Sequence, residues 1–292
     1  MQNQYKRKDI FSCNYQTHQK FDNCVSVYHV LRSRKCYPQG CLYFKWHCSI
    51  LEKGNSCKRG YKYVGRKCVG CKYYFDEKIH YQPGITVNPD EFRQFEQDLS
   101  EFEEWLFENE GKEVSFFGQL HSIKPRFHQI QDRSHVHIRL KGWLLIFGEG
   151  FLGTLHFKDP LYLHISPHQQ ERNLFAKGDQ FETKAIIYID RGRIVLRKAH
   201  HFEFETRSGE VTWTNSQALV ARQAATMFKG QNETCLSCEF GALVDVEDNS
   251  DSARSTHRAL YCFKGIADPK VCYLHGIKII ATCEDYSDSG NN

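Results

Sequence analysis

Thirteen cysteines, eight between Cys13 and Cys71 and five between Cys235 and Cys283, set the tightest limit on how this 292-residue chain folds. The first group sits in a segment with many aromatics and little helical or strand periodicity, too short to fold on apolar burial alone. The opening residues, MQNQYKRKDIF, lack the apolar run of a secretory signal, and no stretch reaches the length of a membrane span. A cytoplasmic, reducing location without a membrane partner is therefore expected. Thiols stay reduced there, so closely spaced cysteines point to metal, which would contribute the missing folding free energy.

Cys235-x2-Cys238 followed by Cys262 and Cys272 suits a tetrahedral four-thiolate site, with Cys283 as a spare thiol in an apolar strand. In the first group, Cys41, Cys48, Cys68 and Cys71 are the leading ligand candidates and Cys36 and Cys57 come next. Cys13 and Cys24 lie upstream, and His18, His29 or His47 could replace a thiol, so spacing alone leaves the pairing open. Zinc is favoured, because scattered CxxC knuckles ordinarily hold structural zinc. An iron–sulfur cluster is the alternative, since it uses the same thiolates, although the common ferredoxin spacings are missing. Neither CxxC sits in a βαβ pattern, which argues against thioredoxin-like exchange.

A net charge of +4 conceals a strong segregation. Residues 1–83 carry +11, 84–110 carry −8, 111–232 carry +6 and 233–292 carry −5. Such asymmetry fits a polyanionic partner for the N-terminal end. Within it, Arg59, Lys62, Arg66, Lys67 and Lys72 interleave with Tyr61 and Tyr63. Cations near phosphates supply affinity through counterion release, and aromatic rings stack on unpaired bases. The competing reading fills a thin core with the tyrosines and solubilises a small domain with the lysines.

The expected architecture is multidomain and mainly β. It comprises a basic Cys-rich metal module (1–83), an acidic amphipathic helix (84–111), a small OB-like β-barrel (112–206), a connecting helix (207–232) and a C-terminal zinc-ribbon-like four-Cys module with a disordered tail (233–292). In the acidic helix, Phe92, Phe95, Leu99, Phe102 and Leu106 fall at 3, 4, 3, 4 spacing, Asn88 can cap and Gly111 can stop. Six strand-length segments follow between Glu113 and Glu205, with a short helix at SPHQQERNLF and a tight hairpin at Asp190–Arg191–Gly192. Their number and rhythm resemble an OB-like barrel, whose sheet face often binds single strands. Arg191 and Arg193 are its binding candidates. A further helix is expected from Thr214 or Asn215 to Gly230.

The sequence has no Walker A motif, no HExxH, no GxSxG and no zinc deaminase signature, so it offers no positive argument for catalysis. Expected above all is a metal-containing protein that binds RNA or single-stranded DNA. An iron–sulfur redox role and a protein-assembly adaptor are the alternatives.

Overall fold

The computed structural model describes residues 1–209, 214–224, 226–228, 241–250 and 255–262. It is mainly β, with 44% strand and 22% helix, and no described helix is long and apolar enough to cross a membrane. Two compact units divide the chain: one holds Gln4–Ser100, and the other joins Met1–Asn3 to the residues from Glu101 onward.

The first unit contains β1 (Phe11–Ser12), β2 (Cys24–Val25), β3 (Cys41–Cys48), β4 (Tyr74–Tyr81) and β5 (Gly84–Ile85). β1 lies between β2 and β5 in a small antiparallel sheet, and β3 and β4 form a separate two-stranded ribbon. The weak periodicity of this segment had suggested no strands of such length. Its buried residues include Ile10, Phe11, Val25, Val27 and Val30. The Phe11 ring meets Tyr37 at 5.1 Å and Phe92 and Phe95 at 6.2 Å.

Phe92 and Phe95 belong to α1 (Pro89–Asn109), which starts and stops where its sequence dictates. The Asn88 side chain accepts from the Asp90 and Glu91 amides at 3.0 and 2.9 Å, and Glu91 accepts from the Asn88 amide at 3.2 Å. These bonds satisfy orphan donors of the first turn. Gly111, at φ +79°, takes the left-handed conformation beyond the last turn. Phe95, Phe102 and Leu106 are buried, whereas Asp90, Glu91, Glu96, Glu101, Glu104 and Glu108 are exposed. The acidic face is thus solvated.

In the second unit β6 (Glu113–Gln131), β7 (Val136–Phe147), β8 (Gly150–Leu152), β9 (Leu155–Phe157) and β10 (Leu161–Ile165) precede α2 (Pro167–Asn173). Then come β11 (Gln180–Asp190), β12 (Arg193–Thr206), α3 (Asn215–Ala224), β13 (Thr226–Phe228), β14 (Gly241–Asp248) and β15 (Ser255–Cys262). β6 pairs with β7 and β7 with β10; β10 runs parallel to β12, β12 pairs with β11, and β11 pairs again with β6. Alternation drives this arrangement: Phe181, Thr183, Ala185 and Ile187 of β11 are all buried, with more exposed residues between them along the first part of the strand. The Phe116 and Phe147 rings meet at 4.7 Å and Phe147 and Phe181 at 5.6 Å, so aromatics fill the interior.

Local signals agree with these elements. Ser166 and Gln169 form a capping box at α2. Arg191 and Gly192 have φ +51° and +81°, the two left-handed residues of a type I′ hairpin turn. Thr214 caps α3 by accepting from the Gln217 amide at 3.2 Å. That helix stops at Ala224, short of Gly230, because Thr226–Phe228 pairs with Leu260–Cys262 as a strand. The end of β6, Phe127–Gln131, also pairs in parallel with Val244–Asp248 of β14, so the described C-terminal strands continue the same sheet.

Gly142 in β7 has φ +143°, and an added Cβ would stand 2.1 Å from the Ile165 carbonyl oxygen. Backbone would have to move, so Gly142→Ala should destabilise the protein by about 2–4 kcal/mol in a denaturant melt.

Candidate nucleic-acid interface

The ribbon is where the chemistry of the first unit becomes readable. In CLYFKWHC, Leu42, Phe44 and Trp46 share one face of β3, and Tyr43, Lys45 and His47 share the other. The second face is partly engaged. Tyr15 packs against Tyr43 at 5.3 Å and Tyr81 at 5.1 Å, and His47 stacks on Phe75 at 5.0 Å. His47 also bonds the Glu52 carboxylate through Nδ1 and Glu77 through Nε2.

Among the described residues no comparable ring contact covers the first face. Leu42, Phe44 and Trp46 are 53%, 49% and 41% exposed. The register sets His80 opposite Leu42, Lys78 opposite Phe44 and Asp76 opposite Trp46. An apolar stripe left open on a ribbon is informative, because contiguous exposed apolar surface marks interaction sites. Sequence reasoning missed these residues. Their signal was the i, i+2, i+4 spacing between two cysteines, in a segment whose opposite face is also partly aromatic.

Residues 49–73 join the two strands and carry the basic cluster. Lys53, Lys58, Arg59, Lys62, Arg66, Lys67 and Lys72 are all exposed, against one acid, Glu52. Tyr63 is 85% exposed, whereas Tyr61 is half-buried. The Lys72 ammonium lies 4.9 Å from the Tyr73 ring centroid. Every residue of this loop taken from the sequence as a contact is thus wholly or partly accessible.

Four cysteines lie at the loop's start and along it. Cys48 is buried at the end of β3, and Cys57, Cys68 and Cys71 are half-buried. The chain reverses sharply at two of them. The Gly60 amide donates to the Cys57 carbonyl at 2.9 Å and the Cys71 amide to the Cys68 carbonyl at 2.9 Å, with Gly60 and Gly70 at φ +75° and +83°. The Arg59 and Tyr61 amides aim at the Cys57 sulfur and hold its thiol below its ordinary pKa. Amide donors directed at sulfur favour thiolate, the form that binds metal. Cys48 pairs with Tyr74 across the ribbon, and Cys68 is close enough to raise the Tyr74 phenol, after burial and Asp76.

The ribbon therefore separates the candidate ligands. Cys48 closes β3 next to the loop that carries Cys57, Cys68 and Cys71, while Cys41 opens the same strand within electrostatic reach of Cys36. Seven residues at about 3.3 Å each put Cys41 roughly 23 Å from Cys48, too far to share an ion. Among the described residues no three Cys, His, Asp or Glu side chains are already drawn together as a ligand cage. The thiols would have to turn onto a metal, and four of them supply the tetrahedral donor set of zinc or an iron–sulfur cluster.

Arg191 and Arg193 belong to the other unit. Arg191 is exposed on the β11–β12 turn, and the Arg193 guanidinium lies 5.7 Å from the Tyr162 ring. Cys262 ends β15, where it pairs with Gly241, three positions after Cys238 in the chain. Cys235, Cys238, Cys272 and the polar tail lie outside the described residues. Comparison with protein families, curated proteins and solved structures found no match.

Proposed function

We propose that this is a metal-containing nucleic-acid-binding protein that holds a single strand of RNA or DNA along the β3–β4 ribbon and its basic loop. The observation that carries the reading is the open Leu42–Phe44–Trp46 stripe, continuous in the chain with a loop of seven exposed cations. Unpaired bases would stack on Phe44 and Trp46 while Lys62, Arg66, Lys67 and Lys72 neutralise phosphates. A duplex hides its base faces, so it could use the cations but not the rings.

Zinc is the proposed cofactor, bound by Cys48, Cys57, Cys68 and Cys71, with an iron–sulfur cluster as the alternative on the same thiolates. Its role would be structural, fixing a loop with little regular secondary structure of its own. A further four-thiolate site at Cys235, Cys238, Cys262 and Cys272 is part of the same proposal. The cyclic pairing of β6, β7, β10, β12 and β11, with α2 between β10 and β11, supports an OB-like barrel in the second unit. In that fold Arg191 would occupy the loop between the fourth and fifth strands, which commonly touches ligand, and Arg193 would open the fifth strand beside it.

Competition between a labelled single-stranded oligonucleotide and a duplex of the same sequence tests the proposal. The single strand should bind at least about tenfold more tightly, given roughly 1–3 kcal/mol for each stacked base. Equal affinity, or no binding to either, would refute it.

A further inference from the structure

We propose that the second unit carries a cleft for an adenine nucleotide on the outer face of β6, between the β8–β9 hairpin and the loop that leads into β11. The inference goes beyond strand binding by the ribbon and uses other residues. The cleft borders Gln180, which opens β11, whereas Arg191 follows the last residue of that strand.

Alternation builds the floor. Phe116, Gly118 and Leu120 of β6 are buried, so Phe117, Gln119 and His121 point the other way. The register extends this row over neighbouring strands, with Phe151 of β8 opposite Phe117 and His156 of β9 opposite Phe151. The Phe151 ring lies 6.3 Å from Phe117 and stacks on His156 at 4.7 Å, yet the residue remains 40% exposed. On the other side Gln180 stands opposite Gln119. The space that these residues enclose with Glu149 and Lys177 measures about 520 Å³, the size of a small-molecule site.

Both walls are fixed by the protein itself. Gly150 brings the hairpin so close to β6 that an added Cβ would stand 2.9 Å from the Phe117 carbonyl oxygen. The facing loop is pinned by the buried Asp179 carboxylate, which accepts from the Ala176 and Ser208 amides at 2.9 Å each. Its main chain is tied to β6 as well: the Gly178 amide donates to the Leu120 carbonyl at 2.7 Å, and the Leu120 amide to the Asp179 carbonyl at 2.8 Å. Lys177 is exposed within this pinned loop. A preformed site loses little free energy to ordering when it binds.

The lining groups select the ligand. An exposed phenyl ring backed by an imidazole offers a stacking surface to a flat base. Two residues along β6, about 7 Å away, the opposed glutamine amides would meet the base edge, and such an amide matches the amino and ring-nitrogen edge of adenine. Glu149 adds an acceptor for an amino group, because His156 Nε2 donates to Oε2 at 3.0 Å and leaves Oε1. Lys177 supplies the cation for a phosphate. A free nucleotide and the end of a strand share this chemistry.

Calorimetric titration of the full chain with adenosine monophosphate tests the assignment. It should bind at one site, and uridine monophosphate, which lacks the amino group, should bind at least about tenfold more weakly. Phe151→Ala should weaken adenosine monophosphate at least about tenfold. Lys177→Gln should weaken it severalfold and leave adenosine unchanged. Both side chains are exposed, so neither change should lower the melting temperature. The variant with Phe44→Ala and Trp46→Ala should bind adenosine monophosphate as the parent does, which keeps failure of the ribbon reading apart from failure of this one. In that variant, displacement of the nucleotide by an oligonucleotide bearing a terminal phosphate would assign the cleft to a strand end, and no displacement would assign it to the free nucleotide. Absence of saturable binding, equal affinity for uridine monophosphate, or full affinity in Phe151→Ala would overturn the proposal.

Discussion

Changing Phe44 and Trp46 together to alanine is expected to weaken single-strand binding roughly a hundredfold, with metal content and fold unchanged. Each ring that stacks on a base contributes about 1–3 kcal/mol, so losing two removes several kcal/mol. Neither side chain supports a core, because each has about half of its surface in water. The mutation therefore separates binding from packing, which substitution of a buried aromatic would not do. Duplex binding through the cations should change little. A loss of metal or a lower melting temperature would instead mean that the stripe is structural, and unchanged affinity would remove it from the interface.

The second large effect is expected for Cys48→Ser. Cys48 is buried at the junction of ribbon and loop, and it is the strand-borne member of the ligand set proposed above. Structural zinc in small modules supplies on the order of 10 kcal/mol of folding free energy, more than a thin core can replace. The variant should lose one metal equivalent, and residues 49–73 should become open to limited proteolysis. Single-strand affinity should fall with them, because cations on a disordered loop no longer align with the stripe. The hairpin pairing between Cys41 and Tyr81 lies at the far end of the ribbon and should be less affected. Full metal retention in Cys48→Ser would show that this thiol is not a ligand.

Much of the fold was legible where local rules act alone. Asn88, Pro89 and Gly111 mark α1, Ser166 and Gln169 mark α2, and Asp190–Arg191–Gly192 marks its hairpin, because caps and turns are decided by a few adjacent residues. The alternation of β10 and β11 was likewise plain. What escaped were consequences of long-range register. No local property of Gly241–Asp248 says that it will lie parallel to the end of β6. The helix from Asn215 ended early for the same kind of reason, since Thr226–Phe228 found a partner in β15.

The site divides along the same line. The basic residues from Arg59 to Lys72 were evident as a charge cluster, and their exposure in the loop agrees with a solvent-facing role. The division of the cysteines was not evident. Cys41 and Cys48 are close in sequence, yet an extended strand carries them to opposite ends of the ribbon. Only the pairing of Cys48 with Tyr74 and of Cys41 with Tyr81 shows that these two thiols lie at opposite ends. The Leu42–Phe44–Trp46 stripe was hidden because the intervening Tyr43 and His47 are themselves ring-bearing, which blurs the contrast of a period-2 pattern.

The most direct test of the central claim is the salt dependence of single-strand binding by the full chain, followed by fluorescence anisotropy. About six phosphate contacts, at a slope near 0.7 each for single strands, should reduce affinity roughly 10²–10³-fold between about 50 and 200 mM salt. A steep fall of this size would support a polyanion lying across the exposed cations of the loop. Absence of binding, or an affinity that changes less than about threefold over the same range, would contradict the account.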